Sequence, residues 1–132
     1  MVERIFLSYN HRDTDLARRI AAEFQRAGLA AMDPDTQIAQ GASWRTAVRA
    51  ALDQSAALVV VLGSPFKAGE GWLTYEIGMA EASNKPVIVM SPDTHSISDS
   101  PADFLNSNIH TFDPRQPEAA ARAVAHEILS AA

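Results

Sequence analysis

The sequence predicts an α/β domain built on a five-stranded parallel sheet with helices on both faces. Short apolar runs alternate with amphipathic helical patterns along the chain. One of these runs, Leu58 to Leu62, contains no polar residue, which is typical of a strand covered on both faces. Strands that alternate with helices pair in parallel, because each crossover helix must pack back on the sheet.

The opening of the chain predicts the first strand and the first helix. Residues 3–9 form an apolar run that ends in polar residues, which indicates a buried strand followed by a loop. Apolar residues then recur at helical spacing up to Gly28, a residue suited to end a helix. Asp13 or Thr14 is suited to cap the start, because a short polar side chain accepts the unpaired N–H groups there. We expect a helix of about four turns.

The middle of the chain predicts a short strand, a long loop, a second helix and the central strand. Residues 29–32 are apolar, and the turn-forming residues 33–36 end that strand. A long loop then precedes Ser43, which caps a helix whose apolar residues recur as far as Leu52. The apolar run 58–62 follows as the central strand.

The remainder of the chain predicts two more helices and two more strands around a polar, proline-interrupted stretch. They are a helix over 72–84 that ends at Asn84, a buried strand over 86–90, a short strand over 109–112 and an alanine-rich helix over 117–129. Pro117 suits the first turn of the last helix. Backbone N–H groups there have no acceptor within the helix, so the missing N–H of proline removes no hydrogen bond.

Composition and charge exclude several classes of function. With 132 residues, 47% of them hydrophobic, the chain is expected to form a single domain over 1–132. It has no cysteine and its four histidines lack metal-ligand spacing, so neither a thiolate nucleophile nor a metal site is expected. A net charge of -5 with scattered lysines and arginines disfavours direct nucleic-acid binding. The longest apolar runs are too short to cross a bilayer, so we expect no membrane contact. The absence of cysteine is compatible with a reducing cytoplasm, which is the location we expect.

The predicted topology places three polar segments around one crevice. In open parallel sheets the ligand site lies beyond the carboxyl ends of the strands, at the point where the strand order reverses. Residues 9–12, 33–44 and 64–76 follow three of the predicted strands. We therefore expect these segments to line a shared crevice.

The same three segments resemble Toll/interleukin-1 receptor (TIR) domains. The first strand closes in Ser8-Tyr9 with an acidic residue soon after, similar to the opening motif of the family. Asp33 and the loop ending Gly41-Ala42-Ser43-Trp44 look like the long loop between the family's second strand and second helix. Residues 72–76, Trp-Leu-Thr-Tyr-Glu, resemble its Trp-x-x-x-Glu motif at the head of the third helix. The resemblance covers nearly the whole chain and implies a flavodoxin-like three-layer sandwich.

The resemblance also implies a function. The family divides into signalling scaffolds and enzymes that cleave NAD at the nicotinamide-ribose bond, and the enzymes carry a glutamate where Glu76 stands. By resemblance Glu76 is the catalytic carboxylate, NAD is a substrate and no separate cofactor is required. The substrate-binding residues would be Tyr9, Asn10, Asp33, Gly41, Trp44 and Trp72. The resemblance further implies assembly with other TIR domains into a homo-oligomer or filament, and a role in bacterial immune or defence signalling.

The chemistry is consistent with one glutamate and several aromatic side chains. Breaking the bond to a cationic nicotinamide gives the ribose oxocarbenium character, which a nearby carboxylate stabilises. The nicotinamide leaves as a neutral group, so no general acid is needed. Each of these residues could instead have a purely structural role. Glu76 suits the first turn of any helix, because the helix dipole favours an acidic side chain there. Tyr9 and the two tryptophans suit a hydrophobic core, and Gly41 suits a loop that needs backbone freedom.

Two other functions remain open from the sequence. The chain could be a non-catalytic module whose long loop and exposed helices bind other TIR domains, leaving NAD intact. It could also be an enzyme like the nucleoside deoxyribosyltransferases, which share the doubly wound layout and use a glutamate on a ribosyl carbon. The Ser-Tyr opening and the Trp-x-x-x-Glu pattern favour the TIR family over this last alternative. The product, whether linear, cyclic or base-exchanged, also stays open.

Overall fold

Five parallel strands form one sheet in a computed structural model of the chain. The strands are β1 (Glu3–Tyr9), β2 (Leu29–Met32), β3 (Ala57–Val61), β4 (Val87–Pro92) and β5 (Asn108–Phe112). The sheet order is β2-β1-β3-β4-β5, and every neighbouring pair is parallel. The structure describes residues 3–9, 13–32, 44–61, 80, 82–92, 108–113 and 115–131. The predicted five-stranded parallel sheet is confirmed.

Helices cover both faces of this sheet. Those described over their whole length are α1 (Thr14–Ala27), α2 (Trp44–Asp53) and α3 (Pro117–Ala131). Buried residues of α1 and α3 form one cluster with Ile5, Val59 and Met90 of the strands. Because successive side chains of a strand point to opposite faces, Phe6 and Val60 lie on the other face, the one that α2 covers with its buried Leu52. This is the predicted three-layer sandwich.

The central strand is the most deeply buried element. All five residues of β3 are at most 1% exposed, and the four from Leu58 to Val61 are paired with β1 on one side and with β4 on the other. Fully burying a valine or leucine side chain contributes roughly 1.5–3 kcal/mol, so an unbroken apolar run places much of the driving force for folding here. The run starts at Ala57, one residue before the prediction.

The bounds of β1 and β2 match the predictions, and some of the other boundaries differ from them by one or two residues. β4 starts at Val87 rather than at Pro86 and continues through Pro92. Pro86 has no N–H to donate to a sheet ladder, but its carbonyl oxygen accepts a hydrogen bond from Leu58 N at 2.9 Å. The last helix, α3, extends two residues beyond the predicted end at 129 because Ser130 and Ala131 do not interrupt a helix.

Two helix ends use the left-handed backbone conformation. Gly28 follows α1 with φ of 98°, and its N–H bonds to the carbonyl of Gln25 at 3.1 Å. Asn84 has φ of 58°, and the N–H of Lys85 donates to the carbonyl of Ala80 at 2.8 Å. Both arrangements satisfy carbonyls that a helix end leaves without partners. The predicted ends at Gly28 and Asn84 are confirmed.

The start of α1 differs from the prediction. Asp13 occupies the N-cap position, but its side chain makes no capping hydrogen bond. Its φ and ψ of -104° and 16° lie outside the extended region that lets an N-cap side chain turn back on the helix. The helix therefore starts without the side-chain cap that the sequence predicted for Asp13.

Two ion pairs join α1 to α3. Arg19 contacts Glu118 at 2.6 Å and also donates to the carbonyl of Arg115 at 3.3 Å. Glu23, whose side chain is only 7% exposed, contacts Arg122 of α3 at 3.5 Å and Arg26 of its own helix at 2.8 Å. A carboxylate this buried is stable only when it is paired with a cation. The contact between Glu23 of α1 and Arg122 of α3 therefore holds the two helices together.

Candidate functional site

The reversal of the strand order brings the carboxyl ends of β1 and β3 together. The chain leaves β1 through α1 to reach β2 on one side, and returns through α2 to β3 on the other. In sheets of this type the ligand crevice lies beyond the carboxyl ends of the two strands at such a reversal. Tyr9, the last residue of β1, pairs in register with Val61, the last residue of β3.

The side chain of Tyr9 packs on the α1 side of this edge. It is half-buried and contacts the cluster formed by α1, α3 and the strands. It also lines a cavity of about 220 Å³ at the carboxyl ends of β1 and β2. The other lining residues are Leu7, Ala17, Arg18, Ala21, Ala31 and Met32. An aromatic ring with one side in the core and one side in a cavity is suited to contact a ligand without moving.

Small side chains create the space between α1 and the sheet edge. Ala17 and Ala21 stand one turn apart on α1, and Ala31 faces them from β2. On the neighbouring stripe of the same helix, Ile20 and Phe24 are fully buried and fill the core. The change from large to small side chains around α1 leaves the cavity at the edge.

Arg18 is the residue of this cavity that sequence reasoning missed. It lies on the exposed side of α1 next to Ala17, and it lines the cavity that contains Tyr9. The sequence places Ala17 and Ala21 on one helical stripe, which is a signal for close packing. Helical periodicity alone does not tell whether the arginine between them faces bulk solvent or the mouth of a cavity.

A wider groove lies along β2 next to this cavity. Its volume is about 1140 Å³, and it shares Arg18, Ala21 and Ala31 with the smaller cavity. Glu3 and Arg4 line it at the amino end of β1, and Arg4 donates to Gln54 Oε1 at 3.0 Å. The two spaces therefore share part of their lining beside the edge strand.

Most of the predicted site residues lie outside the described part of the chain. Asn10, Asp33, Gly41, Trp72 and Glu76 are in this group. Trp44 is the first residue of α2, but its side chain is outside the described set. In sequence Asn10 and Asp33 directly follow the last residues of β1 and β2, the two strands that line the cavity. Of the predicted residues, Tyr9 is thus the one whose side chain can be assigned to a cavity, and the grouping of the others stays a prediction.

The described residues carry neither a metal centre nor a membrane-spanning helix. Nowhere in the described ranges do three or more histidine or acidic side chains group closely enough to hold a metal ion. Within the same ranges, each helix is too short or too polar to cross a bilayer.

Solved structures similar to this chain share its α/β layout. A CMP N-glycosidase from Clostridium botulinum matches with a TM-score of 0.59 and 17% identity, over 92% of this chain and 99% of that one. A 2-deoxyribosyltransferase from Bacillus psychrosaccharolyticus matches with a TM-score of 0.64 and 17% identity, over 92% and 95% of the two chains. A de novo designed Rossmann 2x3 protein matches with a TM-score of 0.56 and 12% identity, over 99% and 91%. At these identities the likenesses show the fold.

A comparison with models of protein families shows to which family the chain belongs. A comparison with curated protein sequences gives no match. The family model described as TIR domain matches residues 5–128, a range that begins within β1 and ends within α3. The Ser8-Tyr9 and Trp72-to-Glu76 segments both lie inside this match. The chain therefore belongs to the TIR domain family.

Proposed function

We propose that this TIR domain is an NAD⁺ hydrolase or cyclase that cleaves the nicotinamide-ribose bond, with Glu76 as its catalytic carboxylate. The observation that carries the proposal is a family match over residues 5–128 that contains both Tyr9, at the cavity, and Glu76 in its Trp-x-x-x-Glu setting. The likeness of the fold to an N-glycosidase is compatible with glycosidic chemistry. The role we assign is bacterial immune or defence signalling in the cytoplasm.

The proposed chemistry needs one charged group and a shaped surface. As the bond to nicotinamide lengthens, positive charge grows on the ribose, and the Glu76 carboxylate stabilises that charge. Nicotinamide departs as a neutral molecule, so it takes no proton from the protein. We assign three aromatic residues to packing against the planar rings of the substrate: Tyr9, Trp44 and Trp72. Aromatic faces bind planar groups and exclude water.

We assign the remaining predicted residues to the rim of the substrate site. Asn10 and Asp33 follow β1 and β2 directly, so both belong to loops at the carboxyl edge of the sheet. We assign them to hydrogen bonds with ribose hydroxyls, which amide and carboxylate oxygens accept well. Gly41 is assigned to a close approach of backbone to substrate, for which a residue without a side chain is suited.

The primary test is release of nicotinamide from NAD by concentrated protein. We expect Glu76→Ala and Glu76→Gln to reduce kcat at least about 100-fold, the scale for loss of an electrostatic group in a transition state. Asp53→Ala is the control, because Asp53 is an exposed carboxylate at the end of α2 that lines neither the cavity beside Tyr9 nor the wider groove. Equal turnover by wild-type protein and Glu76→Ala would refute the assignment, and chromatography of the products identifies the product class.

Assembly with other copies of the domain is the second part of the proposal. In enzymatic members of the family the long loop of one subunit helps to complete the pocket of the next, and the corresponding loop here is residues 34–42. We expect the specific activity to fall on dilution and to recover with a crowding agent. A specific activity independent of protein concentration would contradict the proposed assembly and leave the proposed NAD cleavage unaffected.

A deoxyribosyltransferase-like activity is the second candidate. The fold likeness to a 2-deoxyribosyltransferase, with a TM-score of 0.64, favours it over other chemistries. Offering a deoxynucleoside with a free acceptor base tests it, since base exchange without NAD cleavage would replace the first proposal. Self-association with NAD and deoxynucleosides both left intact would instead support a non-catalytic TIR interaction module.

A further inference from the structure

We propose that Ser91 binds the ligand at the carboxyl edge of the sheet, its hydroxyl pairing with an uncharged group such as a sugar hydroxyl or an amide. The inference rests on the proposed function in that it concerns the ligand site at the same edge, and it adds a binding residue to that site. Ser91 holds and orients the ligand in this proposal, and the cleavage step remains with Glu76.

The burial of Ser91 without a partner is the first observation. Ser91 is 2% exposed, and within the described ranges its hydroxyl has no hydrogen bond. The other two buried serines of those ranges differ in this respect, because Ser55 donates to the carbonyl of Ala51 and Ser8 has an interaction partner. A buried hydroxyl that forms no hydrogen bond destabilises the folded protein. Ser91 therefore keeps hydrogen-bonding capacity that a ligand can use.

The place of Ser91 in the sheet is the second observation. Met90 pairs in register with Val61, and Val61 pairs with Tyr9, so the last residues of β1 and β3 lie in one row with Met90. Ser91 lies one residue beyond this row and pairs with Thr111 of β5, which is exposed. Ser91 is therefore within one strand of the protein surface, at the edge where sheets of this type bind their ligands.

The side of the sheet on which Ser91 lies is the third observation. Met90 belongs to the cluster of α1 and α3, so the next residue, Ser91, faces the opposite side, which α2 covers. Ala80 is helical and fully buried but stands outside that cluster, so this part of the chain packs on the α2 side as well. Glu76 comes four residues before Ala80 in the sequence. With the helix predicted over 72–84, the proposed catalytic carboxylate and the Ser91 hydroxyl belong to the same side of the sheet.

The surroundings of Ser91 indicate the chemical class of the group that it binds. Its described neighbours on this side of the sheet are Val89 in its own strand, Val60 in β3 and Thr111 in β5. None of the three carries a charge, so an ionic ligand group buried among them would gain no counter-ion from them. A hydroxyl both donates and accepts hydrogen bonds. The fitting partner is therefore an uncharged group, such as a ribose hydroxyl or a carboxamide.

The test compares Ser91→Ala with Ser55→Ala, two variants that each remove one buried hydroxyl. We expect Ser91→Ala to raise KM for NAD about tenfold, because a ligand group loses its partner, while the urea midpoint stays the same or rises. Ser55→Ala should do the reverse, with a lower urea midpoint and an unchanged KM, because Ser55 precedes β3 at the amino end of the sheet. Ser91→Cys, with a weaker hydrogen-bonding group of similar size, should have a KM between those of wild-type protein and Ser91→Ala.

A binding measurement separates this inference from the proposed function. Titration calorimetry with ADP-ribose needs no turnover, and NAD can be titrated in the Glu76→Gln background. We expect Ser91→Ala to weaken the affinity for NAD about tenfold. An equal loss for ADP-ribose identifies a ribose hydroxyl as the bound group, and a loss for NAD alone identifies the nicotinamide carboxamide. Protein that binds NAD through Ser91 but cleaves nothing would overturn the proposed function and keep this inference.

The opposite results are equally distinct. NAD cleavage with unchanged KM and unchanged affinity in Ser91→Ala would overturn the inference and keep the function. A weaker affinity together with a urea midpoint as low as that of Ser55→Ala would show that Ser91 acts through the fold, which also overturns the inference. The same holds for wild-type protein that binds neither NAD, ADP-ribose nor a deoxynucleoside at millimolar concentration.

Discussion

Two buried serines differ in how their hydroxyl groups are satisfied. Ser55 is 3% exposed, and its hydroxyl donates to the carbonyl of Ala51 near the end of α2 while also lying 3.7 Å from the sulfur of Met32. Ser91 is 2% exposed near the end of β4, and no described residue provides its hydroxyl with a hydrogen-bond partner. A buried polar group without a partner costs free energy, so these two positions should respond in opposite ways to the same substitution.

We expect Ser55→Ala to lower the free energy of unfolding by about 1–2 kcal/mol, because it leaves a buried carbonyl without its donor. Ser91→Ala should leave the free energy of unfolding unchanged or raise it. Urea denaturation followed by circular dichroism measures both, and each variant serves as the size-matched control for the other. A loss for Ser91→Ala as large as that for Ser55→Ala would contradict the assignment.

Gly28 provides a test of backbone strain at a single residue. Its φ of 98° is unfavourable for residues with a side chain, while a Cβ added there would meet nothing within 4 Å. Gly28→Ala should therefore cost about 1–2 kcal/mol through the backbone alone, and Gly28→Asn should cost less because asparagine tolerates this conformation. Thermal unfolding of both variants gives the comparison, and equal stability of all three proteins would exclude strain at this position.

At the residue scale the sequence predicted Tyr9 but not Arg18. Tyr9 stands where an apolar run meets polar residues, so the end of its strand, and with it the carboxyl edge, could be located from the sequence. Arg18 lies within a regular helix, and the cavity beside it exists because Ala31 of another element faces it. A contact between elements that are distant in sequence leaves no periodic signal.

At the scale of elements, the contact between α1 and α3 depends on acidic side chains. Glu118 lies in the first turn of α3, and the N–H of its own backbone together with Arg19 holds the pKa of this carboxyl below its usual range. A carboxyl whose pKa is lowered on folding stabilises the protein above its unfolded pKa and loses that contribution as the pH falls through the folded value. Glu118 should therefore stabilise the protein at neutral pH and cease to do so in acid.

The corresponding experiment compares Glu118→Gln with wild-type protein across pH. We expect the variant to have the lower Tm at pH 7, with the difference shrinking as the pH drops through and below about 4.5, where an unperturbed glutamate takes up its proton. Since the Glu118 side chain is 30% exposed, salt should reduce the difference at pH 7. A Tm difference that stayed constant from pH 7 to pH 3 would show that Glu118 acts through packing rather than charge.

The sequence predicted which segments form helices and strands more accurately than it predicted the residues at which they end. The end of α1 was predictable because glycine is the residue that adopts its left-handed conformation without strain. The extension of β4 to Pro92 was not, because that strand continues through the pairing of Pro92 with Phe112 of β5, which is a tertiary contact. The uncapped start of α1 was likewise set by the backbone angles of Asp13, which side-chain chemistry does not determine.

At the scale of the whole molecule, one sheet separates two apolar layers. Phe24 is fully buried in the layer of α1 and α3, and Phe6 is fully buried in the layer on the α2 side. Because both layers pack on the same strands, disruption of either one removes support from the other. Unfolding should therefore occur in one cooperative step.

We expect Phe6→Ala and Phe24→Ala each to lower the free energy of unfolding by about 3–5 kcal/mol, a large part of the 5–15 kcal/mol that ordinary domains possess. Both variants should keep a single transition in urea when followed by circular dichroism and by tryptophan fluorescence. Two separated transitions in either variant would show that the layers unfold independently.

Tyr9 ends the first strand and Arg18 lies in the helix that follows it, so the aromatic side chain and the guanidinium beside the cavity that both line are encoded by one short stretch of sequence. Changes in that stretch therefore alter the ring and the guanidinium together, whereas the segments after β2 and β3 are encoded elsewhere in the chain.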